Sequence, residues 1–240
     1  MVPEATARHA LVYRDRVPRA LTADRDRLHL ILMLALTFST GIADAVGYLG
    51  LDRVFTGNMT GNVVILGMAL AGADDLPVVG PLLAFGTFMA GAALGGLVLR
   101  PVKVGWVPRT TWLFVVVGAV MVAITVLLVV FDDDLPHAVQ LLVTGLLAFA
   151  MGLQAATARH LAVKDVTTVV VTSTITSLAA DARLGGGTGA NAPRRVLAIG
   201  LIGAGACVGA LLLQAHIAWG VGASAVITLA VAALGHTTED

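Results

Sequence analysis

Six stretches of the chain are apolar almost without interruption, at about residues 29 to 49, 80 to 99, 111 to 131, 137 to 158, 196 to 216 and 218 to 235. A hydrocarbon core about 30 Å thick is crossed by roughly 20 helical residues, so each stretch predicts a transmembrane helix. Two further apolar stretches, about 57 to 72 and 167 to 181, are shorter and interrupted by polar residues. At 1.5 Å per residue, a helix of about 15 residues reaches only about 23 Å and falls short of a crossing. The pattern therefore predicts an all-α integral membrane protein with six transmembrane helices plus two short re-entrant or half helices.

Composition points the same way. Of 240 residues, 58% are hydrophobic and 12% charged, with a mean hydropathy of +0.91, whereas a soluble domain carries about a quarter charged residues. The formal net charge is zero, so what informs is where the charges fall along the chain. If all eight apolar stretches crossed, Arg100, Lys103, Arg109, Arg159 and Lys164 would share the outer face with Arg53, against the positive-inside rule. If the two short stretches instead enter and leave on one side, every Lys and Arg except Arg53 lies inside, while Asp74, Asp75 and the run Asp132 to Asp134 face outward. This topology makes residues 1–27 an arginine-rich cytoplasmic tail and 28–240 a single membrane domain, with both termini cytoplasmic. No short apolar core followed by a small-residue cleavage site marks a signal peptide, so the tail is expected to stay attached.

The two halves, about 28–131 and 137–236, resemble each other. Thr37 to Gly41, T-F-S-T-G, aligns with Ala148 to Gly152, A-F-A-M-G, at an offset of 111. Gly91 to Leu99 aligns with Gly205 to Leu213 at an offset of 114, and Thr56 and Thr60 fall opposite Thr168 and Thr172 at 112. Three matches in order, at nearly constant offset, indicate an internal repeat. Each half holds three crossings, an odd number, so the halves must run in opposite directions. Such inverted-topology repeats are a plan of secondary transporters, with interrupted helices meeting near the midplane.

The short segments thus become the candidate site, because irregular backbone at membrane depth is tolerated only where protein or a water-filled cavity supplies hydrogen-bond partners. Residues 56 to 62 read T-G-N-M-T-G-N. On a helix the four-residue spacing would stack Thr56 on Thr60, Gly57 on Gly61 and Asn58 on Asn62 as three adjacent stripes. The glycine stripe would admit a neighbouring backbone, as would Gly91 with Gly95 and Gly205 with Gly209. In the second segment Thr168, Thr172 and Thr176 form a matching hydroxyl stripe, with Asp165 placed to cap its start. A helix beginning at Thr56 or Thr167 would aim its positive end at an anionic group. The competing explanation is packing, with Thr and Asn bonded between helices or to their own carbonyls.

Asp44 lies within the first crossing, and an ionisable group there reads by default as functional, as a proton or ion relay, or else as an interfacial anchor. Gln154 falls nearly opposite it in the second half, one residue out of register. Other chemistry lacks support. Cys207 is the sole cysteine and the histidines follow no metal-ligand spacing, so neither a disulfide nor a metal site is expected. Nothing suggests a cofactor. No Walker motif, nucleophile and base pair or basic tract appears, so an enzyme and a nucleic-acid partner are not expected.

The run D-A-V-G-Y-L-G-L-D-R-V-F-T-G-N-M-T-G-N-V-V-I-L-G, with G-L-Q-A-A-T-A-R and T-T-V-V-V-T-S-T-I-T-S-L-A in the second half, resembles the YoaK-like family of bacterial inner-membrane proteins, the domain of unknown function numbered 1275. The likeness covers nearly the whole chain after the tail. It implies a bacterial inner-membrane location, six transmembrane helices and no established activity. The family pattern tends to Gln-Asn where this chain has Gln154-Ala155, and to Thr-Gly where it has Thr172-Ser173, which weakens the polar site of the second half.

The expected function is that of a transporter or channel for a small polar or anionic solute, bound between the short segments and embedded in the lipid bilayer. The alternative is a non-transporting scaffold or accessory subunit whose polar stripes only pack helices. Substrate and oligomeric state stay open.

Overall fold

The computed structural model of the protein describes residues 19–73, 75–131, 135–163, 171–182, 185–189 and 191–239, the first five as backbone only. Asp74, the run Asp132 to Asp134, Lys164, Asp165, Thr167 and Thr168 lie outside the described residues, as does most of the arginine-rich tail.

Among the described residues the fold is all helical. The elements are α1 (Arg19–Gly50), α2 (Met59–Leu70), α3 (Val79–Leu99), α4 (Pro108–Phe131), α5 (His137–Leu161), α6 (Val171–Ala180), α7 (Ala192–Leu213) and α8 (Ile217–His236). Six of them are long and apolar enough to cross a membrane, while α2 and α6 are not. The hydropathy pattern places the first crossing at residue 29, but α1 starts ten residues earlier. The intervening Ala, Leu and Arg residues are good helix formers that continue it beyond the apolar stretch.

Helix ends follow local chemistry. Pro108 opens α4 and Pro136 precedes α5, positions where the missing N–H costs no intrahelical bond. Ala162 closes α5 in the left-handed conformation at φ 51°, its N–H donated to Arg159 O. The side chain of His216 accepts the Ala218 N–H at 3.0 Å and caps α8.

Polarity decides which helices sit inside. α1 and α5 are largely buried, whereas α3 and α7 expose most of their surface. The buried hydroxyls and amides cluster accordingly, with Thr37, Ser39 and Thr40 on α1 and Thr144, Gln154 and Thr157 on α5. Thr37, Thr40 and Thr157 each donate to the carbonyl four residues back, which satisfies the hydroxyl within its own helix. Ser39 and Ser224 donate reciprocally to each other's carbonyls at 3.4 and 3.3 Å, joining α1 to α8.

The halves interleave. α1 packs on α7 and α8, and α5 packs on α3 and α4, so each inner helix lies against the other half's outer helix. The close approaches repeat residue for residue. A Cβ on Gly41 would strike the carbonyl of Ile202, and one on Gly205 that of Phe38. At the 111 and 114 offsets, a Cβ on Gly152 would strike the carbonyl of Phe88, and one on Gly91 that of Phe149. Gly209 meets Ile42 and Ala45, and Gly95 meets their counterparts Leu153 and Ala156. α4 and α8 pack on each other, where Gly118 faces Leu229 and Gly222 faces Thr125. Gly91, Gly205 and Gly209 thus lie nearest to facing carbonyls and Gly95 nearest to the Ala156 side chain, approaches that a missing Cβ permits.

Candidate functional site

The first short segment is not the continuous helix that the T-G-N spacing implies. Asn58 sits at φ −88°, ψ 82° and caps α2, accepting the Gly61 N–H at 3.2 Å. Thr56, Gly57 and Asn58 therefore precede the helix, and only Thr60, Gly61 and Asn62 lie in its first turn. The stripes of Thr56 on Thr60, Gly57 on Gly61 and Asn58 on Asn62 do not form.

The reason is Asp44. Its Oδ1 accepts the backbone N–H groups of Thr56, Gly57 and Asn58 at 3.0, 2.6 and 3.3 Å. Asp44 lies six residues before the end of α1, about 9 Å along the helix axis from Gly50. The chain turns out of α1 through Asp52 and Arg53, both at positive φ, then runs back inward until these three amides wrap the carboxylate. Such convergence satisfies donors that irregular backbone would otherwise leave bare. The anion that the sequence places at the start of the short helix is thus part of the protein itself. Asp44 thus holds the loop that precedes α2, a role that its place in the first crossing does not by itself reveal.

Asn62 completes the clamp. It is buried, its Oδ1 accepting the Phe55 N–H at 2.8 Å and its Nδ2 donating to Phe55 O at 2.6 Å. Gly61 packs beneath the Phe55 ring and Gly57 against Thr40, Met151 and Asp44, so these glycines serve loop closure and not helix pairing. The Thr56 hydroxyl is buried and lies against the Asp44 carboxyl without a hydrogen bond of standard geometry. After α2 the chain returns to the level it left, since Arg53 Nη1 donates to Asp75 O at 3.0 Å.

Between α2 and α6 lies a cavity of about 770 Å³. Thr60 and Thr172, which occupy equivalent places in the two short helices, both line it, as do the equivalent Phe88 of α3 and Ile202 of α7. The cavity is therefore lined by matching positions of both halves. Thr40, Asp44, Tyr48, Phe55 and Asn58 form its other wall. Part of Asp44 stays accessible from this space.

Of the candidate residues, Asp44, Asn58, Thr60 and Thr172 meet at the cavity. The others do not. Thr56 and Asn62 are enclosed in the loop. Thr176 is exposed and donates back to Thr172 O at 3.0 Å. Thr168 lies outside the described residues. Gln154 is fully buried and does not itself line the cavity, donating to Thr40 Oγ1 of the wall and accepting from Thr228 Oγ1, each at 3.4 Å. It joins α1, α5 and α8, and the residue in register with Asp44 is Ala155, which offers no acceptor. Tyr48, Phe55, Phe88 and Ile202 carry no polar signal, although the 114 offset that aligns Gly91 with Gly205 also pairs Phe88 with Ile202.

Residues 32–234 match the family model described as "Protein of unknown function (DUF1275)". The chain belongs to this family. It is 34% identical over 164 residues to "UPF0700 transmembrane protein YoaK" of Bacillus subtilis (strain 168), covering 67% of this chain and 69% of that protein. No solved structure matches it. Family membership and the six long apolar helices make this a multi-pass membrane protein of uncharacterised family, in contact with the lipid bilayer. Among the described residues no cluster of His, Cys, Asp and Glu could hold a metal ion.

Proposed function

We propose that this protein is a transporter or channel of the bacterial inner membrane, with both termini cytoplasmic, in which a small polar solute occupies the cavity between α2 and α6. One observation carries the reading, namely that paired residues of the two halves, Thr60 with Thr172 and Phe88 with Ile202, line a single cavity. The interleaved glycine contacts support an inverted repeat, in which one half rocks against the other about a central site. Polar groups facing an open cavity, and not another helix, argue against a role in packing alone. Blocking the cavity separates transport from a scaffold role.

Proteoliposomes containing the wild-type protein, shrunk by stopped-flow exposure to a panel of small polyols, amine salts and carboxylates, should re-swell faster than empty liposomes with at least one class. Ile202→Trp, which projects an indole into the cavity, should abolish the difference while leaving the thermal transition of the purified protein near that of wild type. Equal re-swelling for protein-containing and empty vesicles across the whole panel would sink the transport reading.

A further inference from the structure

We propose that the solute is a small organic ammonium ion, seated with its charge at the Asp44 carboxylate and its apolar part against the aromatic wall. This rests on the cavity reading above and sharpens it.

Three observations lead there. First, the feature that would recommend an anion is already spent. The amides of Thr56, Gly57 and Asn58, at the positive end of α2, converge on Asp44 Oδ1. A helix terminus is equivalent to about half a positive charge, so a full carboxylate set against it leaves about half a negative charge facing the cavity. Second, Asp44 is the one charged side chain among the described lining residues, and no Lys, Arg or His answers it there. Third, the remaining wall is suited to an apolar body with a cationic head. Tyr48 and Phe55 stack with ring centroids 4.9 Å apart on one side, and Phe88, Ile202, Val64 and Ile65 continue the apolar surface. Aromatic faces attract a cation within about 6 Å of the ring centroid. A strongly hydrated inorganic cation would find one carboxylate with its Oδ1 engaged, the neutral hydroxyls of Thr40, Tyr48, Thr60 and Thr172, and an Asn58 oxygen that already accepts from Gly61, a poor replacement for its water shell. A volume of about 770 Å³ lies within the range of about 300–1,000 Å³ usual for small-molecule sites.

The test is calorimetric titration of the purified full-length protein with butylammonium, butanol and butyrate, which share one alkyl body and differ in charge. Butylammonium should bind about tenfold or more tightly than butanol, and butyrate weakest, as an uncompensated carboxylate facing the site requires. Asp44→Asn keeps an oxygen to accept the three amides and removes only the charge, so it should equalise butylammonium and butanol. Tyr48→Leu, which leaves the loop bonds untouched, should weaken butylammonium about two- to fivefold, the range for an exposed cation–π contact. If butanol or butyrate binds as well as butylammonium and Ile202→Trp displaces it, the cavity is a site but the ammonium proposal is overturned. If none of the three probes binds, or Ile202→Trp leaves their binding unchanged, the cavity reading fails and takes the proposal with it.

Discussion

Replacing Asp44 by alanine removes the acceptor on which the whole entry to α2 depends. Three N–H groups, at 3.0, 2.6 and 3.3 Å, lose their partner together. Thr56 and Gly57 are buried, so their amides find no ready substitute, whereas Asn58 borders the cavity and can turn to water. Each buried donor left unsatisfied costs about 1–3 kcal/mol. Two such donors set the loss for Asp44→Ala at about 2–6 kcal/mol, concentrated in the loop because Asn62 still brackets Phe55. Asp44→Asn retains a neutral acceptor, and charge-assisted bonds are about twice as strong as neutral ones, so its loss should be about half as large. Hydrogen–deuterium exchange followed by mass spectrometry on a peptide spanning residues 54–62 reads this directly. Protection should fall in the order wild type, Asp44→Asn, Asp44→Ala, with exchange in the α4 and α8 peptides unchanged. A peptide equally protected in Asp44→Ala and wild type would refute the capping role, and uniform loss across all helices would refute its local character.

Further outcomes follow from the same contacts. Alanine at Gly41, Gly91, Gly152 or Gly205 drives a Cβ into a facing carbonyl and should cost at least the about 1–3 kcal/mol typical of overpacking. Alanine at Gly86, Gly200 or Gly203, where nothing lies within 4 Å, should be neutral or gain up to about 1 kcal/mol of helix propensity; melting temperatures in detergent distinguish the two sets. Cysteines placed at Asp52 and Asp75 in a Cys207→Ser background should react with a membrane-impermeant thiol reagent from one face, and a cysteine at Val104 from the other. Labelling of Asp75→Cys from the face opposite Asp52→Cys would mean that α2 crosses. At the C-terminal end Glu239 accepts from Thr111 and pairs with His236 at 3.0 Å. Slight burial raises its pKa, but the bonds from Thr111 and His236 together with the His236 charge outweigh it and hold the carboxyl below its ordinary 4.5. A depressed carboxyl pKa adds stability that is present above pH 4.5 and lost as pH falls through the folded value. Glu239→Gln should therefore flatten the acid limb of the stability–pH curve by no more than about 1 kcal/mol, because the exposed His236 partner is solvent-screened.

The crossings were legible in the sequence because the bilayer imposes one local requirement, about 20 apolar residues in a row, and the short segments stood out by failing it. The half-to-half match was legible for the same reason that makes it structural. Gly91 with Gly205 and Gly41 with Gly152 keep their places because a carbonyl lies where a Cβ would be. Charge distribution along the loops favoured a same-side return of the first short segment, and the Arg53 to Asp75 bond agrees with it.

Tertiary structure alone decided what T-G-N-M-T-G-N does. Local spacing says helix, since residues four apart stack on one face, yet a carboxylate twelve to fourteen positions earlier takes the first three amides out of the helix and closes a loop. Gln154 illustrates the same limit in the opposite direction. Its near-register with Asp44 suggested a shared site, but one residue turns a helix by about 100°, enough to aim the amide at α1 and α8 while the equivalent of Asp44 is Ala155. The sequence determined which segments enter the membrane, through summed hydropathy, a property of each stretch taken alone. Which polar side chains face a solute, a neighbouring helix or a bent backbone depends on distances between segments, and those exist only in the folded chain.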